Sequence, residues 1–162
     1  MRTIAAVLLA ACSLFAQSKP ADLCAPPPSG VAPTLPAKLM QGQGDVHFQI
    51  TTANPKAQQF FDQGVAQMHS FWAFEAERSF RQAAELDPEA PMPQWGIAMV
   101  AAGDYRPRFQ LEGNEKNFGK ANPLRATSRA AEAARRSDEL AQVPGKATPV
   151  EKLYIASIVA RR

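Results

Sequence analysis

The sequence predicts an all-α protein built from antiparallel helix hairpins. Three observations carry that prediction. Apolar residues recur at helical spacing through most of residues 54–162. Small residues stand three and four positions from large aromatic ones, as a close approach of two helix backbones requires. Prolines occur where helices would begin or end, because proline suits the first helical position and breaks a helix interior.

Residues 1–16 are expected to be a secretory signal peptide. Arg2 supplies a positive charge, and the apolar run that follows is too short for a stable membrane span. Cleavage is expected after Ala16. A second interpretation stays open, because the residues before Cys12 match a bacterial lipoprotein box, in which that cysteine would carry a lipid anchor. Under both interpretations the chain is exported, to the periplasm or outside the cell, and no membrane span remains after cleavage.

Residues 17–53 are predicted to be an unstructured, proline-rich tether that ends in a short extended segment. Prolines are frequent up to residue 36, which favours polyproline-like chain without a packed core. Residues 45–50 alternate polar and apolar side chains, as expected for an extended segment laid against the first helix. Cys24 in the tether is interpreted as an incidental thiol, with an intermolecular disulfide as the alternative.

The clearest helix pair is predicted over residues 57–90, within a helical domain of residues 54–162. Asn54 is a favoured N-cap, so the first helix should begin after it and end near His69. An aromatic residue, a glycine, an Ala-x3-Phe-x2-Ala run and a closing proline give the pair its spacing. These positions are Phe60, Gly64, Ala76, Phe80, Ala83 and Pro88. The small residues would let the two backbones approach, with Phe80 as the wedge.

The second helix of this pair is expected to begin after Ser70 and to turn Trp72 toward the first helix. A more degenerate pair should cover residues 91–142, with its first helix from Pro91 to Ala102. Glycine, proline and asparagine in residues 106–121 predict an inserted loop. The last helix of this pair should present a face of small residues, namely Ala126, Ala130, Ala133, Ser137 and Leu140.

A third unit is expected to start within residues 148–162. Thr148 and Glu151 have the spacing of a capping box at the start of a helix. The inward face of that helix is predicted from its apolar residues, which are Val150, Leu153, Tyr154 and Ile158. Because no stop signal follows, the helical array is expected to be a truncated solenoid.

The spacing resembles that of a tetratricopeptide repeat, and more narrowly that of exported bacterial proteins with such repeats. The resemblance is specific over residues 55–102 and loose over residues 122–162. It departs at Phe71, which stands where the family has glycine, and at the inserted loop. It implies an α-α superhelix that serves as a scaffold for binding a protein or peptide.

In the architecture that the chain resembles, the first helix of each repeat lines a concave face. That face would carry Phe61, Val65, Met68, Met92, Trp95 and Met99. Such a surface suits an apolar helix or an extended peptide. The alternative is that residues 45–50 or further helices cover it. Because Phe61 and Val65 occupy sites that are polar in repeats that hold carboxylate tails, capture of a C-terminal carboxylate is not expected.

Composition argues against several other functions. The 18 Lys and Arg against 15 Asp and Glu give a net charge of +3, too mild to indicate nucleic-acid binding. His47 and His69 are the two histidines, and no cysteine or carboxylate stands beside them at catalytic or metal-ligand spacing. No enzymatic activity, metal or cofactor is therefore expected.

The predicted function is thus a non-catalytic scaffold that binds a protein or peptide of unidentified kind. One alternative is the non-catalytic N-terminal portion of a larger exported enzyme or assembly factor. Another is a soft-metal-handling protein of the periplasm, because methionine sulfur and imidazole suit such metals. Its ligands would come from Met40, Met68, Met92 and Met99 with His47 and His69.

Overall fold

The computed structural model describes residues 32–102 and 123–160, with the side chains of residues 123–127 left out. The predicted signal peptide, Cys12, Cys24 and the inserted loop lie outside these ranges. Within them the chain is all-helical and has no strand. The five helices are α1 (Pro55–His69), α2 (Ala73–Leu86), α3 (Pro91–Ala102), α4 (Pro123–Ala141) and α5 (Pro149–Val159).

The helices pack in sequence order, and α3 lies at the centre. Each helix contacts the next one along the chain, and α3 also contacts α1 and α5. The first two helices are antiparallel. Three residues connect them, and the side chain of Asn54 before α1 donates a hydrogen bond to the carbonyl of Leu86 at the end of α2 (2.9 Å).

Side-chain caps fix where α1 and α5 begin. The Asn54 side chain accepts a hydrogen bond from the N–H of Lys56 at 3.0 Å. Before α5, the hydroxyl of Thr148 accepts from the N–H of Glu151, and the Glu151 carboxylate accepts from the N–H of Thr148. Each cap satisfies N–H groups that have no partner inside the helix. Both helix starts are where the sequence predicts them.

The turn between α1 and α2 differs from the prediction. Ser70 ends α1 and does not cap α2, and Trp72 precedes α2 with about half of its side chain exposed (48 %). The prediction of an inward Trp72 is wrong because the chain turns sharply at Phe71, whose φ is +61°. That left-handed conformation is costly for an aromatic residue and directs the chain out of the helical path.

The apolar core is centred on Phe80, which is fully buried. A Cβ built on Gly64 of α1 would lie 2.6 Å from the Phe80 ring, and one built on Gly96 of α3 would lie 2.5 Å from it. The ring therefore fits between two helix backbones that lack side chains at the contact. Around it, Ala76 and Ala83 of α2 are fully buried.

The predicted faces of the last two helices have different outcomes. Within α4, Ala130, Ala133, Ser137 and Leu140 are buried as predicted, and Ala126 is among the residues whose side chains are not described. In α5 the predicted face is wrong in part, because Val150, Leu153 and Tyr154 are exposed. Glu151 and Ile155 are buried instead, together with the predicted Ile158. Hydrogen bonds from Thr51 and Thr148 to the carboxylate of Glu151 fix which face of α5 points inward.

The extended segment of residues 45–50 lies against α1, and the described part of the predicted tether before it also contacts α1, through Gln63. Residues 32–53 contain no helix or strand, yet they lie against the helices. Ile50 is buried, and Phe48 and Ala37 pack on the core. Side chains of the helices accept and donate hydrogen bonds along this segment. These bonds hold it against the helices although no neighbouring strand pairs with it.

Candidate functional site

Gln58 of α1 binds the main chain of the extended segment at two points. Its Nε2 donates to the carbonyl of Phe48 (2.9 Å), and its Oε1 accepts from the N–H of Ile50 (3.0 Å). In extended chain, the carbonyl of one residue and the N–H of the second residue after it point to the same side. The side-chain amide therefore does what one residue of a neighbouring strand would do.

Gln63, on the same helix, repeats this arrangement on an earlier part of the segment. Its Nε2 donates to the carbonyl of Lys38 (3.0 Å), and its Oε1 accepts from the N–H of Met40 (2.7 Å). We call Gln58 and Gln63 the two main-chain clamps. Since both bind backbone groups, each can hold any residue other than proline at the position that donates the N–H.

The second clamp is supported by two buried polar residues. Nε2 of Gln63 donates to Oγ of Ser79 (2.9 Å), and this hydroxyl donates to Oε1 of Gln67 (2.7 Å). The exposed fractions of Gln63, Ser79 and Gln67 are 7 %, 1 % and 2 %. Buried polar groups destabilise a fold unless they are hydrogen-bonded. This Gln63–Ser79–Gln67 cluster therefore orients the clamp while satisfying its own polar atoms.

Asp62 lies beside the first clamp and also binds the segment. Its carboxylate accepts from the N–H of Phe48 (2.9 Å) and pairs with Nδ1 of His47 (2.9 Å). The hydrogen bond and the negative charge of Asp62 raise the pKa of the His47 imidazole above its ordinary value. His47 is exposed, so this pair holds the edge of the segment and does not form a buried acid–base couple.

Glu151 of α5 anchors the end of the segment. Its carboxylate accepts from the N–H and the hydroxyl of Thr51, both at 2.6 Å, and from the N–H of Thr148 at 2.6 Å. Only 2 % of Glu151 is exposed. Burial alone would raise the pKa of this carboxyl, but the hydrogen bonds from Thr51 and Thr148 outweigh it and hold the pKa below its ordinary value.

Asp87, at the end of α2, holds the next two residues. Its carboxylate accepts from the hydroxyl of Thr52 and from the N–H of Ala53. Burial opposes the charged form, but these bonds, a backbone bond from Glu89 and the positive charge of Lys146 lower the pKa of Asp87 below its ordinary value. The segment is thus fixed by two carboxylates where it enters α1.

The six residues predicted to face a partner lie in the core beneath the segment. Phe61, Val65, Met68, Met92 and Trp95 are buried, and Met99 is half-buried. The ring of Phe48 packs on two of the six, since its centroid lies 5.7 Å from that of Phe61 and 6.2 Å from that of Trp95. This matches the alternative in which residues 45–50 cover the apolar face.

The residues of the predicted repeat spacing lie mostly at helix contacts. Phe60, Gly64, Ala76, Phe80 and Ala83 are buried, whereas Pro88 is exposed in the turn after α2.

The residues proposed for a soft-metal site differ in burial and in surroundings. His47 and His69 are exposed, Met68 and Met92 are buried, and the Met40 sulfur accepts a hydrogen bond from Gln43 (3.2 Å). Across residues 32–102 and 123–160, no group of three or more His, Cys, Asp and Glu side chains is placed to hold a metal ion.

Neither the clamps nor the carboxylates that hold the segment are predicted from the sequence. A signal for them exists in α1, where Gln58, Asp62, Gln63 and Gln67 are polar residues among apolar ones. A segment of alternating pattern without a strand partner needs acceptors for its N–H groups, and these four side chains lie within ten residues of one helix.

Comparisons with known proteins found no relative of this chain. No family model, curated protein or solved structure matches it. Among the helices of the described ranges, none combines the length and the apolar character that crossing a membrane requires.

Proposed function

We propose that this chain is an exported, non-catalytic scaffold that binds a protein or peptide, built from helix pairs of the tetratricopeptide type. The order of helix contacts supports the proposal, since each helix packs on its neighbours along the chain as in stacked repeats. The wedge of Phe80 between Gly64 and Gly96 supports it as well, because the predicted repeat spacing requires a close approach at a glycine.

One observation carries the binding role: α1 holds two glutamines that each bind a carbonyl and an N–H of extended main chain. Side-chain amides that bind backbone in this way recognise a conformation and tolerate many sequences, as in recognition by strand addition. The ligand class that follows is an extended polypeptide segment. Gln58 and Gln63 would supply main-chain bonds, and the apolar residues beneath them would supply side-chain contacts.

The experiment is a binding titration of the full chain against a labelled unfolded polypeptide, such as reduced and carboxymethylated α-lactalbumin, followed by fluorescence anisotropy. We expect saturable binding that Gln63→Met weakens about tenfold, since two hydrogen bonds at about 0.7 kcal/mol each correspond to that factor. Methionine keeps the volume of glutamine but removes its donor and acceptor.

The matched control is Gln59→Met, because Gln59 is an exposed glutamine on the same helix. Its affinity should equal that of the unchanged chain, and thermal melting should verify that both variants are folded. Absence of saturable binding by the unchanged chain and by both variants would contradict the proposal.

A further inference from the structure

The segment held by the Gln63 clamp is less firmly bound than the segment held by Gln58. Among residues 33–41, Pro33 is buried and Ala37 is half-buried, while the other seven are exposed, with 67 % of Leu35 exposed. By contrast, the later part of the segment buries Ile50 and is fixed by the carboxylate of Glu151. Since burial of apolar surface is the main source of stability, the earlier part is the one that can leave at small cost.

Two glycines separate these parts. Gly42 has φ of +78° and Gly44 has φ of +84°, and a Cβ built on either would meet no atom within 4 Å. Glycine adopts such conformations freely and gives the chain extra freedom there. Residues 34–41 can therefore detach from the helices by rotation at these glycines, while residues 48–53 stay bound.

The site that they would leave is preformed. The Gln63–Ser79–Gln67 cluster is buried in the contact between α1 and α2, and its internal bonds do not involve the segment. Beside it, Nε2 of Gln67 lies 3.7 Å from the Met40 sulfur, a weak acceptor. The vacant site would present the side-chain amide of Gln63, which binds extended backbone. It would also present Nε2 of Gln67, which can donate to an acceptor side chain two residues after the residue whose carbonyl Gln63 binds.

From these observations we propose that the Gln63–Ser79–Gln67 cluster is an exchangeable peptide site, occupied in the resting chain by its own residues 38–40. Its external ligand is an extended polypeptide that carries methionine, or another acceptor side chain, at the position of Met40. The internal segment competes with it as a tethered ligand. This inference rests on the proposed function and names the site and the form of regulation for it.

The tether makes the competition strong in the resting chain. A segment linked by a few flexible residues acts at an effective concentration on the order of millimolar. Half occupancy by an added peptide therefore needs a higher peptide concentration in the unchanged chain than in a chain whose internal segment has lost its bond to Gln63.

The test compares Met40→Pro with Met40→Ala in the full chain. Both remove the methionine side chain, but only proline removes the N–H that donates to Gln63. The probe is a fluorescent peptide of residues 33–43, PTLPAKLMQGQ. We expect Met40→Pro to bind it at least about tenfold more tightly than Met40→Ala or the unchanged chain, because the tethered competitor is weakened.

A second probe keeps the test independent of any effect of the substitutions on folding. It is the same peptide with proline at the position of Met40, and Met40→Pro should bind it at least about tenfold more weakly than the natural peptide, because it cannot donate to Gln63. Equal binding of the two peptides, or equally weak binding by Met40→Pro and Met40→Ala, would overturn the inference. If the chain nevertheless binds the carboxymethylated polypeptide with an affinity that Gln63→Met leaves unchanged, exchange at this site is wrong and the proposed function stands. If neither probe binds, both fail.

Discussion

At the scale of single residues, the confinement of Phe80 by two glycines is the tightest packing feature of the core. The ring is fully buried and lies against the backbone of α1 on one side and of α3 on the other. It cannot move away from Gly64 without moving toward Gly96. A methyl group at either glycine therefore has to displace a helix, and not merely the end of a flexible side chain.

Overpacking a core usually costs about 1–3 kcal/mol, and alanine gains roughly 1 kcal/mol over glycine in a helix. Because the added Cβ would meet the confined Phe80 ring at 2.6 Å, we predict that Gly64→Ala destabilises the protein by a net amount of about 1–2 kcal/mol. Chemical denaturation followed by circular dichroism measures the difference. The control is the double variant Gly64→Ala with Phe80→Leu, in which the smaller side chain makes room, so the two effects should not add. A Gly64→Ala protein as stable as the unchanged chain would show that the ring is not confined.

Part of this arrangement is predicted from the residues alone. Gly64 and Phe80 were expected at a contact because their spacing suits two close helices. That Gly96 completes the contact follows from α3 packing beside α2, which spacing within one hairpin does not specify. Phe71 shows the opposite case: its positive φ is imposed by the turn, against the preference of an aromatic side chain.

At the scale of elements, the extended segment is held by side chains of α1 in place of a neighbouring strand. Backbone N–H and carbonyl groups near a protein core need partners. Gln58 supplies a donor for the carbonyl of Phe48 and an acceptor for the N–H of Ile50. Asp62 accepts from the N–H of Phe48. The segment thus covers the apolar residues of α1 and α3 without any β-sheet.

We predict that Gln58→Ala loosens this segment and destabilises the protein by about 1–2 kcal/mol, since it leaves a donor and an acceptor of the main chain without their partner. Hydrogen exchange of the Ile50 amide should accelerate, which can be followed by NMR or mass spectrometry. Gln59→Ala is the matched control, because its side chain is exposed on the same helix. Unchanged exchange at Ile50 in Gln58→Ala would contradict the role given to the clamp.

The rotation of α5 is also an element-scale property. Apolar residues alone predicted Val150, Leu153 and Tyr154 as inward, yet the helix turns the carboxylate of Glu151 inward. Four hydrogen bonds join that carboxylate or its main chain to Thr51 and Thr148, and a rotation that buried Val150 and Leu153 would break the bonds to Thr51 and expose Ile155 and Ile158. A pattern of hydrophobicity cannot detect such a buried and satisfied charge.

At the scale of the whole molecule, Glu151 connects parts of the chain that are one hundred residues apart in sequence. Its partner Thr51 precedes α1, and Glu151 begins α5. Aromatic contacts extend this connection, because the ring of Tyr154 lies 5.2 Å from that of Phe48 and 5.7 Å from that of Trp95. The extended segment therefore joins the first helices to the last.

This connection predicts a loss of stability in acid. The pKa of Glu151 in the folded state lies below the value of 4.5 for a free carboxyl, and that of Asp87 lies below 3.8. A lowered folded-state pKa adds stability that is fully present above the unfolded-state value and is lost as the pH falls through the folded-state value. Urea denaturation should show a decreasing free energy of unfolding as the pH falls from about 5.

Glu151→Gln isolates the contribution of this residue. We predict a loss of about 1.5–3 kcal/mol at neutral pH, the range for hydrogen bonds to a charged group, and a smaller dependence on pH below 5. Part of the dependence should remain because of Asp87. Glu132→Gln, an exposed carboxylate on α4, should change neither quantity. If Glu151→Gln keeps the full acid dependence, Glu151 is not its source.

The sequence by itself determined the helices, because caps, prolines and helical spacing act over a few neighbouring residues. It located Asn54, Thr148 and the wedge of Phe80 for that reason. The tertiary structure alone decided the path of residues 32–44, the rotation of α5 and the use of Gln58 and Gln63 as main-chain clamps. Those features depend on hydrogen bonds between residues far apart in sequence, which become possible once the helices have packed.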